Sequence, residues 1–139
     1  MRAITAICAV LAAGVVQAAQ PMTVEVFANM ATMVPVPSAP AYQLRVYRLD
    51  AMTLIEEQLS QGLPAVEAEA LAVLQRMEGE IRRKYQAQII NASNGMTLAI
   101  HYRLDRLPAV VIDRKAVIYG VPDVERALAI YQQSAGGRP

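Results

Sequence analysis

The segment that most restricts the fold is Ala109-Val110-Val111-Ile112, introduced by Leu107-Pro108 near the end of a 139-residue chain. Successive side chains of a strand point to opposite faces, so a run that is apolar at every position needs cover on both sides. This predicts a central strand between two layers, at the middle of the core. After Asp113-Arg114-Lys115 comes Ala116-Val117-Ile118-Tyr119, close enough to pair back as an antiparallel hairpin, and Gly120 ends it. Pro122 suits a first helical turn, with Asp123 and Glu125 near the positive end of the helix dipole. Val124, Ala127, Leu128 and Tyr131 form the inward stripe of that closing helix, and Ser134 to Pro139 reads as a frayed tail.

Upstream, Thr23 to Ala28 alternates with Val24 and Val26 on one face and Glu25 and Phe27 on the other, which predicts a first strand. Pro35, Pro37 and Pro40 then forbid a helix, because each ring removes a donor and restrains its predecessor. An extended connector is expected there. Gln43 to Tyr47 alternates again, with Leu44 and Val46 inward and Arg45 and Tyr47 outward. Asp50 suits the N-cap of a helix from Ala51 to about Gln61, stopped by Gly62 and Pro64. From Ala65 onward, Val66, Ala70, Leu74, Met77, Ile81, Tyr85 and Ile89 recur as one stripe of a long amphipathic helix. Glu78 with Arg82 and Glu80 with Lys84 are acid-before-base pairs on its wet side. Asn91 to Gly95 are weak interior residues that break or kink this helix before Met96, Ala99, Ile100 and Leu104 resume the stripe.

The N-terminal stretch has the form of a targeting signal. Met1-Arg2 gives a positive start, Ala3 to Val16 is small and apolar, and Val16-Gln17-Ala18 fits a small-x-small peptidase site. The run of roughly 14 apolar residues falls short of the ~20 that cross a bilayer as a helix. Export with cleavage after Ala18 is therefore expected, leaving a single domain over residues 19–139 with no membrane span. Cleavage also removes Cys8, the one cysteine, so no thiol chemistry or disulfide remains and stability rests on the apolar core. With Lys plus Arg at 13 and Asp plus Glu at 12, the chain lacks the basic field that gathers phosphates, and direct nucleic-acid binding is not expected.

The order of strand, connector, strand, helices, then Leu-Pro into a buried strand, hairpin and closing helix resembles the thioredoxin fold. The implied class is α/β: a central mixed sheet of about four strands flanked by helices, with the redox helix reduced or missing. That resemblance also implies a cis proline at the start of the third strand, here Pro108. Leu107 to Asp113, Ala116 to Gly120, Asp123-Val124 and Ala127-Leu128 look more specifically like a family of exported proteins encoded by integrating conjugative elements. Val24 to Phe27, Asp50 and Leu63-Pro64 extend the match over most of the mature chain. This family carries a domain of unknown function and is similar here to pilus-assembly proteins of conjugative type IV secretion. The resemblance implies a place in a DNA-transfer machine in the periplasm of a Gram-negative bacterium, with other proteins of that apparatus as partners.

It implies no reaction. Thioredoxins need a low-pKa thiolate and a resolving cysteine at a helix start after the first strand, and residues from Asn29 to Thr32 and beyond hold neither. A non-catalytic protein is expected, against the alternatives of a thiol-disulfide oxidoreductase relative or a free periplasmic peptide-binding chaperone. No cofactor and no metal are expected: His101 is the only histidine and has no His/Cys cluster around it. Arg82-Arg83-Lys84 reads as a solvated, salt-bridged face rather than a contact for acidic partners or lipid head groups. Met30 and Met33, with Val34 and Val36, form either a repackable contact surface or a cover for the sheet where the redox helix is absent. Arg106, Leu107 and Pro108 mark a sheet end where an extended partner segment can add as a strand, or a proline kept only for the fold.

Overall fold

Every residue of β1, Thr23–Ala28, from Val24 onward is buried, which requires cover on both of its faces and partners at both of its edges. The computed structural model describes residues 20–136, so the export segment at 1–18 and tail residues 137–139 lie outside the described residues. β2, Gln43–Arg48, pairs parallel to β1, with Val24 opposite Leu44 and Phe27 opposite Tyr47. On the other edge of β1 lies β3, Ala109–Ile112, antiparallel, with Phe27 opposite Ala109 and Val24 opposite Ile112. β4, Ala116–Tyr119, folds back onto β3, so the mixed sheet has the order β2-β1-β3-β4. Asp113 and Arg114 turn this hairpin at φ 48° and 58°, a left-handed conformation that costs most residues energy. Gly120, at φ +76°, ends β4 where a Cβ is disfavoured.

Among the described residues three helices accompany the sheet: α1, Ala51–Ser60; α2, Glu67–His101; and α3, Val124–Gly136. On one face of the sheet Val24, Val26, Val110 and Ile112 pack against Val124, Ala127 and Leu128 of α3, the stripe expected for the closing helix. Buried Val34 from the connector joins this layer. The opposite face gathers Phe27, Tyr47, Ala109 and Val111 beneath Ala99 of α2. Tyr47 is thus buried rather than outward, stacked 5.1 Å from the Phe27 ring, because α2 covers the face that alternation alone assigns to solvent. Burying a side chain of this size contributes on the order of 2 kcal/mol. Residues 134 and 135, expected in the frayed tail, extend α3 instead.

α2 neither breaks nor kinks into two helices; it runs unbroken through Asn91 to Gly95. Both residues face β2, one helical turn apart. The Asn91 carboxamide accepts from Arg48 N–H at 3.0 Å and donates to the Val46 carbonyl at 2.8 Å, pairing with the outer edge of β2 as a neighbouring strand would. At Gly95 an added Cβ would lie 2.6 Å from Tyr47 Cβ, so only glycine admits so close a crossing of helix and strand. The contact stripe is therefore made of the small residues Ala92, Gly95 and Ala99, following Tyr85. Of the residues expected to line it, Tyr85 and Ala99 are buried, Val66 and Met77 are exposed, and Ala70, Leu74, Ile81 and Ile89 are half-buried.

Asp50 stands at the N-cap position of α1, but its carboxylate makes no capping bond. It accepts from Met30 N–H at 2.8 Å instead, tying the loop after β1 to the start of the helix. Of the two expected acid-base pairs on α2, Glu78–Arg82 forms at 2.7 Å with both side chains exposed. Lys84 lies over the Tyr85 ring, 5.0 Å from its centroid.

Candidate functional site

Main-chain accounting locates an open position at the end of the sheet where β1 stops and β3 starts. Antiparallel partners exchange hydrogen bonds at every second residue. Asp113 N–H donates to the Thr23 carbonyl at 2.8 Å, which sets the phase at Thr23, Glu25 and Phe27 on β1. The next pair in register is Asn29 with Leu107, and it does not form. After Ala28 the chain turns towards β2: Thr32 N–H donates to Asn29 O at 3.0 Å, and Leu49 N–H donates to Ala28 O at 3.1 Å. The Arg48 guanidinium clamps the turn by donating to the carbonyls of Asn29 and Thr32, each at 2.7 Å. Among the described residues, neither the N–H nor the carbonyl of Leu107 has a hydrogen-bond partner. The Leu107–Pro108 peptide bond is cis, and Pro108 O accepts from Gly120 N–H at 2.9 Å.

The surroundings of Leu107 are mostly apolar, with Arg103, Asp105 and Arg106 as their charged members. Leu107 is 37% exposed and borders a surface depression of about 250 Å³ that also involves Leu49, Met96, Ile100 and Leu104. The Arg106 guanidinium lies 4.8 Å from the Tyr119 ring centroid, a cation–π contact that positions it beside the opening. Met96 and Ile100, expected on the buried stripe of α2, are exposed there, Ile100 at 70%. α2 meets the sheet through its small residues, and its larger apolar neighbours are left at the rim. The helix then ends in a Schellman arrangement, with Leu104 N–H donating to Ala99 O at 2.9 Å and Arg103 in the left-handed region at φ 54°. That reversal returns the chain to Pro108.

Met30 and Met33 follow β1 at the same end of the sheet, and Met30 belongs to a different hollow. Met30 lines an apolar recess of about 450 Å³ with Val36, Val46, Ala51 and Ala87. Met33 is 85% exposed. The two recesses share no lining residue, so Arg106 and Leu107 are not covered by residues 29–40 and are not brought into one pocket with the methionines. Sequence reading singled out Leu107 through its proline and missed Ile100, Met96 and Leu49.

Glu25 is a second polar feature that sequence reading did not single out. Its carboxylate, 3% exposed, accepts from the Tyr102 hydroxyl at 2.6 Å. Burial, the bond to Glu25 and the carboxylate charge push the Tyr102 pKa up to about 12, opposed by the charge of Arg114. No group of three or more His, Cys, Asp or Glu side chains suited to a metal occurs among the described residues. His101 is exposed on the last turn of α2, its ring 5.5 Å from that of Tyr102. No helix among the described residues is long and apolar enough to cross a membrane.

Compared with protein families, residues 22–135 match the model described as "Protein of unknown function (DUF1525)". Neither the curated proteins nor the solved structures contain a match to this chain.

Proposed function

Starting from a chain that belongs to the DUF1525 family over residues 22–135, we propose a non-catalytic interaction protein of a conjugative DNA-transfer apparatus, exported to the periplasm and built on a thioredoxin-like scaffold. Several observations support the scaffold. The sheet is mixed and four-stranded, with β1 parallel to β2 and antiparallel to β3 and helices packed against it, which agrees with the class the thioredoxin resemblance implies. A cis proline stands at the start of β3. A proline-rich connector occupies the chain position of the redox helix between β1 and β2. The conjugative assignment rests on the likeness of Leu107 to Leu128 to proteins of integrating conjugative elements.

The observation that carries the mode of action is the unpaired main chain of Leu107. An extended segment of a partner completes the missing ladder position, and the rim formed by Met96, Ile100 and Leu49 receives its side chains. With no cysteine in the mature chain, the same sheet end performs no thiol exchange. Partners are other proteins of the transfer apparatus, held by main-chain pairing and apolar contact.

Deletion in a donor strain, followed by measurement of transfer frequency and pull-down with the tagged protein, tests this reading. Reduced transfer together with capture of channel or pilus subunits supports it. Unchanged transfer contradicts it, and turnover in an insulin-reduction assay would replace it with the oxidoreductase alternative. Capture of many unrelated exported proteins favours the free chaperone, for which the exposed Met33 is the observation in favour.

A further inference from the structure

The recess bordered by Met30 and Val46 does not end at Met30. A second hollow of about 260 Å³, between α1 and α2, shares Met30, Ala51 and Gln88 with it, so the two form one trough along α2 from Asn91 to Lys84, about 10 Å of helix. Its walls are fixed by main-chain bonds. Asp50 accepts from Met30 N–H, the Arg48 guanidinium holds the carbonyls of Asn29 and Thr32, and Pro35 and Pro37 stiffen the lip on either side of exposed Val36. Within this frame the Met30 side chain, 47% exposed, is free to repack around an occupant. A preformed, mostly apolar hollow of this size with a few polar groups is the usual form of a small-molecule site.

Two features select the occupant. Arg48 and Lys84 are the only charged residues that line the trough, no carboxylate lines it, and neither cation is in an ion pair among the described residues. The Arg48 guanidinium is already committed to two carbonyls. That leaves the Lys84 ammonium, at the other end and 5.0 Å from the Tyr85 ring centroid, to receive an acid. The second feature is the main chain of the wall, where Asn91 takes the Val46 carbonyl and Arg48 N–H, and Arg48 takes the carbonyls of Asn29 and Thr32. A peptide laid in the trough would find these groups occupied and lose hydration without replacement, whereas an alkyl chain has no such groups to lose. We propose that the trough binds a medium-chain fatty acid, its alkyl chain lying between Val46, Met30 and α2 and its carboxylate on Lys84. The trough shares no lining residue with the Leu107 opening, so the proposal stands independently of the function given above.

Titration calorimetry of the purified protein with decanoate, read alongside methyl NMR spectra, tests this site. The expected result is saturable binding of one decanoate per chain, with the largest shifts at the methyl groups of Met30, Val46 and Leu54. Lys84→Gln weakens binding about three- to fivefold, the size of an exposed ion pair. Decyltrimethylammonium, with the same chain and the opposite charge, binds at least tenfold more weakly than decanoate. Ala87→Trp, at an exposed helix position, fills the recess and abolishes saturable binding; should it fail to fold, the lysine variant and the reversed-charge amphiphile still decide. No saturable binding of decanoate overturns the proposal, as does an affinity that Lys84→Gln leaves unchanged or equal binding of the two amphiphiles. Shifts at Met96 and Ile100 in place of Met30 and Val46 overturn it too. Cosedimentation with phosphatidylglycerol vesicles without decanoate binding also overturns it and assigns the trough to a bilayer surface.

Discussion

Asn91 and Gly95 each do in α2 what better helix formers cannot. Replacing Asn91 with alanine leaves the Val46 carbonyl and Arg48 N–H without their partner at a partly buried edge. A loss of about 1–3 kcal/mol in urea unfolding is expected, although alanine has the higher helix propensity. For Gly95→Ala, the 2.6 Å approach to Tyr47 Cβ gives a loss of about 1–3 kcal/mol by overpacking, again against propensity. Arg103 runs the other way. It occupies a left-handed helix terminus at φ 54°, where glycine is favoured, so Arg103→Gly should raise stability by about 0.5–1 kcal/mol. These three variants also show why α2 was not fully legible in the sequence. The reason for an Asn and a Gly in mid-helix lies across the gap in β2, 40 to 50 residues away along the chain, and no local pattern carries it.

Among the elements, strands were read well where apolar alternation or a continuous apolar run reflects burial directly, as in β1 and β3, and α3 was read well from its inward stripe. Reading is incomplete where the contacting residues are small. The stripe expected on α2 contains Tyr85 and Ala99, which are buried, but not Ala92 or Gly95, which complete the contact with the sheet and leave Met96 and Ile100 at the rim of the Leu107 opening. The site was therefore half legible: Leu107 and Arg106 through the proline beside them, the rim not at all. Two tyrosines fasten elements together and set a pH dependence. Tyr42 donates to Glu125 at 2.7 Å, linking the connector to α3, and Tyr102 donates to Glu25, linking the end of α2 to β1. Burial first, and then the hydrogen bond to each carboxylate, raises both pKa values from 10.0 to about 12. Since the folded values lie above the unfolded one, the stability they add is complete below pH 10 and is lost as pH rises through about 12. Unfolding followed across that window should show the decline, and Tyr102→Phe should reduce it while also lowering stability at neutral pH, because Glu25 loses its donor.

Across the whole molecule, a sheet covered on both faces holds one end open. Arg48 and Asp50 draw the loop after β1 towards β2 and α1, and that diversion, more than any feature of β3, leaves Leu107 without its ladder partner. If this opening receives partners, its rim is separable from folding. Ile100 is 70% exposed, so Ile100→Asp should shift stability by no more than about 0.5 kcal/mol. Transfer frequency should nonetheless fall in a donor carrying this variant, because the partner's apolar side chains then meet a carboxylate. The most direct measurement places a photoreactive amino acid at position 107 in donor cells and identifies what it captures after irradiation. Adducts with subunits of the transfer channel or pilus, lost in the Ile100→Asp background, are the predicted result. The absence of any adduct at position 107, while the same probe on the far face of α3 reacts with such subunits, would contradict docking at this end of the sheet.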